Sequence, residues 1–152
     1  MNKCEEIADA YRKVTVAGAW YGPSVAELLL RITPAQAVKK PDGGTHSISE
    51  LLQHLLLWNE RVAKTNESCE LPKWEAEKDW AEAAIPWNEL VERWSKSRDL
   101  LEERMRNFSM EDLEKQTPGR TYPYKVMLNG ITQHTIWHSG QMAMVHSMVK
   151  GK

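Results

Sequence analysis

Apolar residues recur at intervals of three and four along most of the chain, the spacing that places them on one face of an α-helix. In "HSISELLQHLLLWNERVAKTNE" (46–67) the series is Ile48, Leu51, Leu52, Leu55, Trp58 and Val62. Ser47 and Glu50, three apart at its start, form a capping-box pattern. In "IPWNELVERWSKSRDLLEERMRNF" (85–108) one face carries Leu90, Val91, Trp94, Leu101 and Met105, the other dense charge, and Pro86 marks the start. "GPSVAELLLRI" (22–32) repeats the capping box with Ser24 and Glu27, and the charged N-terminus "MNKCEEIADAYRKV" is amphipathic too. The last segment, "YKVMLNGITQHTIWHSGQMAMVHSMVKGK", runs from Tyr124 to a stop at Gly151. Its Gly130 costs a helix up to about 1 kcal/mol relative to alanine, which suggests another backbone passing close. Between these segments lie the turn-rich "KKPDGGT", a Trp-containing stretch from Glu70 to Ile85, and "QTPGRTYP". Alternating β-branched runs are scarce. The pattern predicts an all-α fold in one domain spanning 1–152: a four-helix bundle with a long crossover connection, plus an N-terminal helix. The 70–85 connection is long enough to let two consecutive helices run parallel.

Composition narrows the function. The 20 Lys and Arg against 21 Asp and Glu give a formal charge of −1, well mixed along the chain. No basic arm or stripe is present, which argues against nucleic acid as the main partner. No apolar run reaches the roughly 20 residues of a membrane span, and the N-terminus does not resemble a signal peptide, so a cytoplasmic protein is expected. Cys4 and Cys69 form no metal-binding or redox pair, which fits a reducing compartment, and Cys69 is read as an inert thiol. Tryptophan is abundant, 7 against a single Phe. Trp20, Tyr21, Trp58 and Trp137 are candidate walls of an apolar pocket, with core packing the expected role of at least two.

The chemistry concentrates in "GITQHTIWHSGQM" (130–142). His134 and His138 are four apart, hence neighbours on one helical face with Cβ atoms ~5–6 Å apart, and Met142, Val145 and Val149 continue the face that a bundle buries. Two imidazoles hold a transition metal poorly. His54, within the apolar period of the second long helix, is the best third ligand, since a bundle sets that helix against the last. Three neutral histidines with open positions describe a catalytic type of divalent-metal site. The alternative is three ordinary hydrogen-bonded core histidines. The zinc-protease pattern H-E-x-x-H is absent, because Thr135 follows His134. His146, about 80° round the helix from His138, is expected beside the site or at the surface, and His46 at a helix mouth. Glu50 and Gln141 are placed to orient a ligand histidine from behind. Each has a plainer role open to it: Glu50 in the capping box, Gln141 as a cap of a neighbouring helix.

These stretches resemble a known family. "SISELLQHLLLW" followed by "LNGITQHTIWHSGQM" is similar to the DinB/YfiT-like superfamily of metal-dependent enzymes, with its histidine in the second bundle helix and H-x-x-x-H-x-G-Q in the last. "GAWYGPSVAELLLRIT" and "DLEKQTPGRTYPYKVMLNG" resemble the family's entries into its first and last bundle helices. The resemblance implies a divalent metal, zinc or nickel, held by His54, His134 and His138. It also implies a homodimer, and transfer of a low-molecular-weight thiol to a small electrophilic substrate. Family members often carry an acid, a Tyr and an Ala where this chain has Thr135, Trp137 and Ser139. These departures spare the ligands and bear on substrate. Two other functions use the same residues: hydrolysis by metal-activated water, for which Glu50 is the sole sequence-level proton acceptor, and a non-enzymatic metal-binding stress-response module.

Overall fold

The computed structural model describes residues 1–44, 46–68, 79–80 and 85–150. Among them are six helices: α1 (Lys3–Thr15), α2 (Val25–Leu29), α3 (Pro34–Ala37), α4 (Ile48–Ser68), α5 (Trp87–Arg106) and α6 (Tyr124–Val149). No strand is present among the described residues; a lone antiparallel bridge, Gln116 to Pro123, closes the turn before α6. Most of the 70–85 connection, and Cys69 with it, lies outside the described residues.

The four long helices are α1, α4, α5 and α6, so the N-terminal helix is itself one of the bundle's four. The segment from Ser24, expected to be long, yields α2 and α3 instead. Its capping box forms as predicted, Ser24 Oγ accepting from Glu27 N–H, but Pro34 keeps Thr33 extended (φ −81°, ψ 156°) and the chain must begin a new helix there. At 1.5 Å per residue α1 spans only about 20 Å and α6 about 39 Å. The short α2 and α3 fill the corner that α1 leaves open.

Two apolar clusters record this arrangement. One joins Val25, Leu28, Ile32 and Ala37 to the first half of α4 (Ile48 to Leu56), the first half of α5 (Trp87, Leu90, Trp94) and the end of α6 (Met142, Val145, Val149). The other joins Ile7, Ala8 and Tyr11 of α1 to Val62 and Ala63 of α4, Leu101 and Met105 of α5, and Met127, Leu128 and Ile131 of α6. First halves pair with first halves in α4 and α5, so these two helices run parallel, and α6 runs antiparallel to both. Helices α1 and α4 each pack on α5 and on α6. The middle of α4 therefore faces the middle of α6, where the two clusters meet.

Gly130 does not serve the close approach anticipated for it. A Cβ at that position meets no atom within 4 Å, so a larger side chain there does not overpack the core. Trp20 and Trp137 are neither pocket walls nor core residues: they are 98% and 70% exposed, and Tyr21 is also exposed.

Candidate metal centre

His54 projects from the middle of α4, where Leu51, Leu52, Leu55 and Leu56 on the same stretch are fully buried. His134 and His138 project from α6 opposite. The three ring centroids stand 4.5, 4.6 and 4.9 Å apart, and one nitrogen from each ring lies within 4.8 Å of the others. His54 and His138 are buried and His134 half-buried.

Hydrogen bonding fixes which nitrogens point inward. His54 Nδ1 is 3.0 Å from the carbonyl oxygen of Asp79, which can only accept. His54 therefore carries its proton on Nδ1 and turns the Nε2 lone pair toward the other rings. His138 donates from Nδ1 to Gln141 Oε1 at 2.6 Å and likewise leaves Nε2 free. His54 Nε2 and His134 Nε2 face each other at 2.9 Å. Two imidazole nitrogens about 2.0–2.1 Å from one tetrahedral ion stand roughly 3.3 Å apart, so the rings accommodate an ion by opening a few tenths of an ångström. His134 Nδ1 is buried with no hydrogen-bond partner. It is one of several unpaired buried polar atoms among the described residues, and it is not the nitrogen that faces His54. The donor set, three imidazoles with two backed by hydrogen-bond acceptors, suits a borderline-soft divalent ion.

The electrostatics agree. Burial pushes all three imidazoles toward the neutral, metal-binding form. His134 is lowered to about 3, by burial first and then by its two histidine neighbours. Burial likewise lowers His54 against the opposing pull of Asp79, and His138 against that of Gln141. The Asp79 carboxylate is itself buried, with Oδ1 3.3 Å from His54 Nδ1. A buried carboxylate beside neutral imidazoles is better solvated with a cation close by.

Asp79 and Trp80 are the contributors that sequence reading missed. Asp79 Oδ1 accepts from Trp58 Nε1–H at 3.0 Å, so one residue steadies both the His54 imidazole and the Trp58 indole. Trp80 stacks on His54 (centroids 4.3 Å apart, 1° between planes) and, with its other face, on His46 (3.7 Å, 15°). Their stretch carries no helical period, and the only available signal was the tryptophan itself.

The remaining candidates fall away from the histidine cluster. Glu50 completes its capping box: Ser47 N–H donates to Oε2 at 2.8 Å, and Lys40 Nζ lies 2.9 Å from Oε1. Burial raises its pKa, but these partners outweigh it and keep the carboxyl ionised below its usual range. No hydrogen bond to the three histidines remains for it. His146 is buried, its Nε2 unpartnered, rather than at the surface.

Beside His134, α4 and α6 diverge to leave a groove of about 240 Å³. Trp58 and Val62 of α4, Tyr122 before α6, and Val126, Met127, Gly130, Ile131 and His134 of α6 line it, with no charged side chain among the described residues.

A helical bundle with three converging histidines on antiparallel helices defines the class: a bundle whose histidines could hold a metal ion. Residues 23–142 match the family model of the DinB superfamily. The chain belongs to that superfamily, and the match contains all three histidines. No curated protein matches the chain, and no solved structure does.

Proposed function

We propose that this protein is a divalent-metal-dependent S-transferase that joins a low-molecular-weight thiol to a small electrophile. The observation that carries the proposal is the convergence of three imidazoles beside a groove that no described charged side chain lines. An ion held there, zinc or nickel by the softness of the donors, would lower the pKa of a thiol brought to it. The chain's own residues would do the rest. Asp79 and Gln141 hold the His54 and His138 rings in the correct tautomer, Trp80 covers one face of His54, and the groove walls exclude water from the electrophile. In the reaction the thiol sulfur forms the new bond to carbon. The carbon's bond to its leaving atom breaks, that atom takes the electron pair, and the thiol proton is released to it or to solvent.

Among the described residues the carboxylates near the site are engaged, which disfavours the hydrolytic alternative: Glu50 is held by its helix cap and Lys40, and Asp79 by Trp58 and His54. The test supplies metal-loaded enzyme with an electrophile and, in turn, bacillithiol, mycothiol, glutathione, coenzyme A and cysteine. Acceleration by one thiol, lost in His134→Ala, is expected. Turnover of an ester or amide without thiol would favour the hydrolase, and neither reaction would favour a binding module.

The proposal extends to a homodimer in the cytoplasm. Helix α6 presents Trp137, Met144 and Met148, each more than half exposed, on its outer side, the kind of surface a partner covers. Trp137→Glu should shift the mass measured by light scattering to that of a monomer. Cys4 is a free, buried thiol, and no described helix is long and apolar enough to cross a membrane.

A further inference from the structure

The proposed reaction leaves open what kind of molecule the site accepts. Four observations bear on it. The groove ends at His134, so it is continuous with the histidine cluster. Its walls are mostly apolar, with Tyr122 the hydroxyl-bearing member, and among the described residues its lining holds no charged side chain to pair with a phosphate or a carboxylate. Its volume, about 240 Å³, lies below the roughly 300–1,000 Å³ of sites for drug-sized ligands and above the roughly 150 Å³ that admits benzene. Gly130 is part of the lining, and a Cβ there would meet nothing within 4 Å.

The last observation explains a residue that the fold does not. A glycine in mid-helix weakens the helix by up to about 1 kcal/mol, and Gly130 recovers nothing through close packing. What its missing side chain provides is groove volume. One turn separates it from His134, so any side chain at 130 would stand in the space leading to that imidazole.

We propose that this groove is a tail subsite: it takes the small uncharged alkyl or aryl group of a ligand whose donor atom sits at the three histidines, and Gly130 sets how large that group can be. The inference rests on the metal-centre reading above. Trp58, held by Asp79, forms a fixed wall, and Met127 is the adaptable one. Gly130 is here a specificity-determining residue rather than a catalytic one.

The test measures binding, independent of turnover. The full chain is loaded with cobalt(II), and n-alkanethiols from ethyl to octyl are titrated in while the sulfur-to-cobalt absorption band is followed. Affinity should rise about fourfold for each added methylene until the groove is full. Gly130→Val should end that rise at a shorter chain and weaken binding of the longer thiols by about tenfold or more, two methylenes' worth at that slope. Ethanethiol affinity should stay within about twofold, because a chain so short does not reach the groove. Gly140→Val, on the same helix but exposed and outside the groove, should match the unaltered protein and controls for valine in a helix. Far-UV circular dichroism verifies folding of both variants. A rise equally steep and long in Gly130→Val, or no rise in the unaltered protein, would overturn the subsite while leaving the metal centre standing. Failure to take up cobalt, or no band with ethanethiol, would overturn the centre and the subsite together.

Discussion

Two of the polar clusters buried among the described residues differ in whether they close on themselves. Tyr11 of α1 donates to Asn59 Oδ1 of α4 at 3.0 Å, Asn59 Nδ2 donates to Ser97 Oγ of α5 at 3.3 Å, and Ser97 Oγ donates to the Trp94 carbonyl at 2.8 Å. Every side chain in that chain has a partner. The histidine cluster, about one turn away along α4, leaves His134 Nδ1 unpartnered and turns three imidazoles toward a common point. A closed network specifies how helices pack and needs nothing further. An open one keeps lone pairs available, here those of His54 and His138 Nε2. The contrast separates a polar cluster that serves the fold from one that could hold a ligand.

The largest effect expected from breaking the contrast is on stability, in the closed network. Asn59→Ala strands the Tyr11 hydroxyl in the core and removes the donor to Ser97 Oγ, and should cost about 1–3 kcal/mol in urea denaturation, with metal content unchanged. The same kind of cut beside the open cluster should move metal affinity more than folding. Gln141→Ala frees the His138 ring and should weaken metal binding by roughly 10–100-fold, measured by competition with a chelator.

A third expectation concerns protons. In the folded, metal-free chain His134 is depressed to about 3, whereas the unfolded chain takes up a proton near 6.5. Below pH 6.5 the unfolded state thus binds more protons, and stability falls as pH is lowered from there toward 3; above 6.5 this contribution is complete and flat. One such group contributes a slope of at most about 1.4 kcal/mol per pH unit. His134→Gln should flatten the slope between pH 6.5 and 5 in metal-free protein, whereas Tyr11→Phe should leave it as it is.

The smallest effect is a gain. Gly130→Ala should stabilise the metal-free protein by about 0.5–1 kcal/mol, because the added methyl meets open space. A loss in thermal denaturation would mean that the groove beside His134 is narrower than described.

How much of this could be read in advance follows from helical periodicity. His134 and His138 were legible because their spacing fixes a shared face, and His54 because it interrupts an apolar series that must face another helix. The two-helix geometry then did the rest. The segment 22–32 reads as one of the long bundle helices because its capping box and the run from Val25 to Ile32 look helical locally, whereas the structure stops α2 at Leu29 and starts α3 at Pro34. Gly130 was legible as an anomaly but not in its cause, since a missing side chain has the same signature whether it admits a backbone or leaves a groove. Asp79 and Trp80 were illegible: they lie in a stretch without periodicity, and only the folded chain brings them against His54 and Trp58.

The central claim, that the open cluster is completed by a metal ion, is tested most directly by elemental analysis of protein purified without a histidine tag. The account predicts about one divalent ion per chain, lost in His54→Ala, His134→Ala and His138→Ala and retained in His46→Ala, His146→Ala and Tyr11→Phe. Unaltered protein that takes up no zinc or nickel, or a His54→Ala variant that keeps full occupancy, would contradict it.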